Sequence, residues 1–272
     1  MDNLIVFPHC PKTGGTTLKE RYKYHNKEFF VVDDTPHVKD YTKVIFGHSA
    51  EIGFWEKDFP DKNIIYMTCM RDPVERIMSM YNFFKTQLFY FRPGNPDVDF
   101  YLWYINKDVL RPMLTPKQYE YYMYQYVDCQ KWARSVEPLH DMYRNSILKW
   151  DVTLNKTTVD ADKLANCKAV NTEIQSHNME MTWKHVMKHF DHVFFQDTNI
   201  VKTFDELLNK YELEMTPWEE MTITNETKYD LKKNNLAYVT FEELEEDLQT
   251  IVLEDLKQDI EFYNRCKDKW KH

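Results

Sequence analysis

The chain has 272 residues, 35 lysines and arginines against 44 aspartates and glutamates for a formal net charge of -9, and 43% hydrophobic and 15% aromatic residues. That apolar share supplies a core of domain size. The acidic balance argues against a nonspecific nucleic-acid binder, which needs a basic footprint, and no apolar run approaches the roughly 18 residues of a membrane span. We expect a single domain over residues 1–272 with no membrane anchor. Residues 1–20 lack the basic-then-apolar layout of a signal peptide. Cys10, Cys69, Cys129, Cys167 and Cys266 are scattered without a CxxC pair, which fits reduced thiols better than a disulfide framework or a zinc site. The expected setting is cytoplasmic, and the Golgi lumen enters only if the chain is a piece of a longer protein.

In chain order, NLIVF (3–7) is a short apolar run ending at Pro8, which reads as a buried strand; residues 16 to about 26 read as a helix. Between them lies HCPKTGGTT. Average usage of about 7% would give about 19 glycines in a chain of this length, yet there are five, and Gly14 and Gly15 are two of them. FFVV (29–32) and KVIFGH (43–48) are further strand candidates. NIIYMTCM (63–70) is a stronger one, followed at once by Arg71-Asp72-Pro73 and a helix to about residue 90 with Ile77, Tyr81, Phe84 and Leu88 at helical spacing. Residues 92–190 read as largely helical, with a long amphipathic helix within 115–137. HVFFQ (192–196) reads as a strand, Thr198 as the cap of a helix to about residue 211, and Thr240 with Glu243 as a capping box opening a long C-terminal helix. Strands alternating with helices predict an α/β fold with a mainly parallel central sheet flanked by helices.

Three stretches carry chemistry. In the first, glycines at a helix N-terminus let backbone N–H groups wrap an anion, Thr16 and Thr17 add hydroxyl donors, and Lys12 adds a point charge. Lysine precedes the glycines, the inverse of the Gly-Lys-Ser/Thr order of nucleoside-triphosphatase loops. In the second, Arg71 ends a strand and Ser79 lies two helical turns on, so a second anion site falls on the same edge of an open sheet, where ligands bind. The plainer account is an Arg71 ion pair with Asp72 or Glu75. In the third, FGHSAEIGF (46–54), His48 ends a strand where an imidazole can act near neutral pH, with Glu51 as a second possible base.

CPKTGGTTL resembles the 5′-phosphosulfate loop, and RDPVERIMSMY the 3′-phosphate element, of sulfotransferases that use 3′-phosphoadenosine 5′-phosphosulfate (PAPS), closest to the heparan and chondroitin O-sulfotransferase branch. FGHSAEIGF is similar to the segment that carries the catalytic histidine in the 2-O-sulfotransferases, and FRPGNPD (91–97) and NETKYDL with VTFEELEEDL extend the likeness over most of the chain. The resemblance implies a P-loop-like fold in which Lys12, Thr13, Gly14, Gly15, Thr16 and Thr17 hold the phosphosulfate and Arg71 and Ser79 hold the 3′-phosphate. It makes His48 the base and gives Lys12 a catalytic share. It also implies sulfuryl transfer to an acceptor hydroxyl, of a glycan by the branch, with adenosine 3′,5′-bisphosphate (PAP) as product and no metal; residues 92–190 would form an acceptor-side insertion. The alternatives are a P-loop-type small-molecule kinase, for which Asp72 is the metal candidate, and a noncatalytic nucleotide-binding relative. Trp55, Tyr81, Phe84, Tyr90 and Trp103 are candidates for sugar stacking, although their spacing suits a core better.

Overall fold

A computed structural model describes residues 2–9, 12–31, 38–47, 50, 52–91, 99–100, 104, 179–196, 199–218 and 226–270. Its centre is a five-stranded, wholly parallel sheet: β1 (Asp2–Pro8), β2 (Phe29–Val31), β3 (Val44–Gly47), β4 (Lys62–Met70) and β5 (His192–Phe195), in the order β2-β3-β1-β4-β5. β1 is central, registered against β3 through Ile5↔Val44 and against β4 through Leu4↔Ile64. Helices are α1 (Gly15–Lys23), α2 (Pro73–Phe91), α3 (Met179–His189), α4 (Ile200–Lys210), α5 (Glu226–Lys233), α6 (Glu246–Asp255) and α7 (Lys257–Lys269). The expected α/β class with a parallel sheet is what the structure has.

The unbroken apolar runs of the strands follow from burial on both faces, since successive side chains of a strand point to opposite sides. In β1, Leu4 and Val6 join one core with Ile52, Trp55, Val186, Phe262 and Cys266, under α3 and α7. Ile5 and Phe7 join another with Leu18, Tyr22, Phe204 and Leu207, under α1 and α4. Arg21 bridges to Asp205 at 3.0 Å, and the Tyr22 hydroxyl donates to the same carboxylate, locking α1 to α4. A third cluster, Ile77, Met78, Tyr81, Phe100, Leu248 and Val252, joins α2 to α6. Trp55 and Tyr81 are thus core residues, each 2% exposed, and offer no sugar platform.

Two local expectations are corrected. Asn199, not Thr198, caps α4, its carboxamide oxygen accepting from the Lys202 N–H at 3.1 Å. The capping pair at Thr240 exists, with the Glu243 carboxylate accepting the Thr240 N–H at 2.7 Å, but it opens a single 3₁₀ turn, Phe241–Glu243. The C-terminal helical stretch is then two helices meeting at Leu256, which is fully buried and serves both α6 and α7. Cys69 and Cys266 are buried thiols, and burial pushes that of Cys266 up to about 12. The helix expected within 115–137 and most of 92–190 lie outside the described residues.

Candidate functional site: an anion crevice at the strand ends

β1 and β4 are neighbours whose outgoing connections run in opposite directions, β1 through α1 to β2 on one flank and β4 through α2 toward β5 on the other. Such a switch opens a crevice at the carboxyl edge of the sheet. The Lys12 loop leaves one strand and Arg71 leaves the other, so the structure brings the two predicted anion elements to one crevice. β3 ends on its far side, where Gly47 pairs with Pro8 and accepts the His9 N–H at 2.9 Å. His48 and Glu51 follow directly and lie outside the described residues.

The first element leaves a helix end open. Gly14 is the N-cap of α1 with φ 86° and no side-chain cap, and the first turn carries no acidic residue. A Cβ on Gly14 would meet Ile200 Cδ1 at 2.9 Å, while a Cβ on Gly15 would fall inside the imidazole of His9. His9 is buried, stacked on Phe46 with ring centroids 5.3 Å apart, and so acts as a peg beneath the loop. The β4 side ties the loop as well, through the Cys69 thiol donating to the Thr13 carbonyl at 3.2 Å. Thr13 is fully buried, Thr17 half-buried and Thr16 exposed, which leaves Thr16 and Thr17 as the accessible hydroxyls. Lys12 itself is left-handed, φ 62°, a conformation that costs a non-glycine residue about 1 kcal/mol or more. Its ammonium lies 4.4 Å over the Phe83 ring and 3.5 Å from Thr227 Oγ1.

The second element fills its helix end. Asp72 Oδ1 accepts the N–H groups of Val74 at 2.9 Å and Glu75 at 3.1 Å, capping α2 and complementing its dipole. Arg71 Nε pairs with Glu75 at 3.2 Å, the plainer account given above; with the Glu75 side chain 62% exposed, that pair is worth little to stability. Ser79 is 8% exposed on the same helix.

A third component was given no role in the sequence analysis beyond the NETKYDL and VTFEELEEDL likeness. α5 and the irregular strap 236–240 after it lie against α2. Thr227 meets Lys12 at one end. At the other, the Tyr238 phenol is pushed up by burial against the opposing pull of Arg71, with Glu75 adding to the rise, so its hydroxyl shares a field with both. Lys228 Nζ stands 4.7 Å over the Tyr238 ring. The strap is tied to α2 through main-chain atoms: Lys85 Nζ donates to the Ala237 carbonyl at 2.8 Å, and Asn82 pairs with Val239. Bonds to backbone atoms leave no residue pattern to read.

Comparison with protein-family models and with characterised proteins returned no match for this chain. Among the described residues, no helix is long and apolar enough to cross a membrane.

Proposed function

We propose that the chain is a PAPS-dependent O-sulfotransferase acting on an acceptor hydroxyl of carbohydrate type. The observation that carries this reading is the pairing, on adjacent parallel strands, of a glycine-wrapped helix end left without a carboxylate and a separate arginine, a layout suited to a ligand with two separated phosphate groups. The donor supplies an activated sulfuryl group. The acceptor oxygen forms a bond to sulfur as the bond from sulfur to the bridging phosphate oxygen breaks, and adenosine 3′,5′-bisphosphate departs with the electron pair. Lys12 and the N–H groups of Gly15 and Thr16 stabilise charge growing on that oxygen. His48, assigned from the sequence, takes the hydroxyl proton, a role worth about 10²- to 10⁴-fold in rate. His9, buried beneath the loop, is in no position to meet an acceptor.

The kinase alternative asks Asp72 for a metal, but that carboxylate is engaged as the cap of α2. Thermal denaturation with adenosine 3′,5′-bisphosphate and no Mg²⁺, followed by transfer of labelled sulfate from PAPS to a glycan panel, tests the reading. A stabilised protein and labelled product are expected. A response confined to ATP with Mg²⁺ would replace this reading with the kinase, and binding without transfer to any acceptor would favour a noncatalytic relative.

A further inference from the structure

Resting on that reading, we infer that Gln196, at the carboxyl end of β5, is a further donor-binding residue, whose carboxamide gives an N–H to the ligand's 5′-phosphate group beside the Gly14–Gly15 turn. Its main chain extends the β4–β5 ladder one step past Phe195: the Gln196 N–H donates to the carbonyl of Met70, the residue before Arg71, at 2.8 Å. Its side chain lies against the loop. A Cβ on Gly14 would stand 3.5 Å from both Cδ and Nε2 of Gln196. The loop reaches β5 by crossing β4, since Thr13, one residue earlier, takes the Cys69 thiol on its carbonyl at 3.2 Å. Strand alternation agrees: Phe194 belongs to the core under α1 and α4, and Gln196, two residues on, falls on that same face, where α1 begins at Gly15 and α4 at Ile200.

Gln196 is half-buried, and its Oε1 is buried without a hydrogen-bond partner among the described residues. Buried carboxamide atoms are ordinarily paired, so a glutamine kept in this state at a strand end suits a partner that arrives with the ligand. Packing on Gly14 does not by itself call for a carboxamide: a methionine fills a similar volume with no polar head to bury. Neutrality matters as well. Gly14 caps α1 with no side chain and the first turn holds no acid, so a carboxylate at position 196 would set against this loop the kind of charge that Asp72 sets on the end of α2. A carboxamide supplies N–H donors without that charge, and a turn about its last bond exchanges which end faces the loop. Lys12, the N–H groups of Gly15 and Thr16, and Gln196 then serve one anionic group from the loop, α1 and β5.

The test measures calorimetrically, without Mg²⁺, the affinities of adenosine 3′,5′-bisphosphate and adenosine 5′-monophosphate for the full unmodified chain, Gln196→Met and Gln196→Glu. Both ligands carry the 5′-phosphate, so both report on this residue, while their ratio reports on the second phosphate. Gln196→Met keeps the volume and removes the donor; both affinities should fall about tenfold, the scale of one hydrogen bond to a charged group, with the ratio held within about twofold. Gln196→Glu is nearly isosteric and sets a like charge against the ligand, so both affinities should fall by at least about a further tenfold. Affinities in Gln196→Met within about twofold of the unmodified protein overturn the inference. So does a loss in Gln196→Met with no further loss in Gln196→Glu, which would make the side chain a packing support for Gly14. If the methionine variant does not fold, unchanged affinities in Gln196→Glu overturn it. If the unmodified protein binds neither nucleotide, the donor assignment falls, a result distinct from failure of Gln196.

Discussion

Two strand-turn-helix elements meet at the same crevice and treat their helix ends in opposite ways. α1 begins on glycine, with no side-chain cap and no acid in its first turn, so no carboxylate of its own complements the positive end of its dipole. α2 begins under Asp72, whose carboxylate takes the N–H groups of Val74 and Glu75, so its end already holds an anion of its own. On the proposed reading, anion binding at the first element belongs to the backbone, and at the second to the side chains of Arg71 and Ser79. The first turn needs its glycines for clearance within the protein: Gly14 is left-handed with Ile200 beside it, and Gly15 lies against the His9 ring.

The strongest way to break this contrast is Gly15→Ala. The new methyl would overlap the His9 ring, which is buried and stacked on Phe46 and has nowhere to go. Overpacking at such a position costs about 3 kcal/mol, read by chemical denaturation, and adenosine 3′,5′-bisphosphate should no longer raise the melting temperature. His9→Ala in the same chain removes the obstacle and should restore part of both. Failure of the double variant to recover ligand binding would mean that Gly15 is needed for close approach of the ligand rather than for clearance of His9.

The next effects separate the two elements by ligand. Arg71→Ala should weaken the bisphosphate by about 10- to 100-fold and leave the 5′-monophosphate within about threefold, since only the 3′-phosphate loses its partner. Lys12→Ala should lower sulfate transfer by about 10²- to 10³-fold, the scale of losing one preorganised stabilising group, with a smaller change in bisphosphate affinity. If Lys12→Ala instead weakened binding and transfer equally, its ammonium would serve ground-state binding, and its contacts with Phe83 and Thr227 would need another explanation.

What was legible in the sequence follows from the same contrast. The strands NLIVF, KVIFGH and NIIYMTCM are visible because a parallel sheet covered on both faces demands continuous apolar runs, and PKTGGTT because glycines are otherwise rare in the chain. Arg71 and Ser79 are readable as a strand end and a position in the helix that follows it. His9 is not: a histidine ahead of a loop looks like any other until the helix start is seen packed on its ring. The strap around Tyr238 is not either, since Asn82 and Lys85 hold it by main-chain atoms some 150 residues away, Asn82 to Val239 spanning 157 positions. The break at Leu256 was hidden because that leucine suits a continuous helix equally well, and only its burial between α6 and α7 shows the turn.

The smallest effect sharpens the comparison most. Asp72→Ala should cost about 1 kcal/mol of stability, the usual worth of an N-cap, and Asp72→Asn should recover most of it, because an amide oxygen still accepts the Val74 and Glu75 N–H groups. Bisphosphate affinity is the informative reading. If Arg71 and Ser79 recognise the second phosphate from the side, opening the end of α2 changes that affinity by no more than about threefold, the helix dipole pointing where no ligand group sits. If the affinity rises about tenfold, the uncapped end of α2 is accepting the phosphate as α1 does, and the two elements differ only in what happens to occupy them.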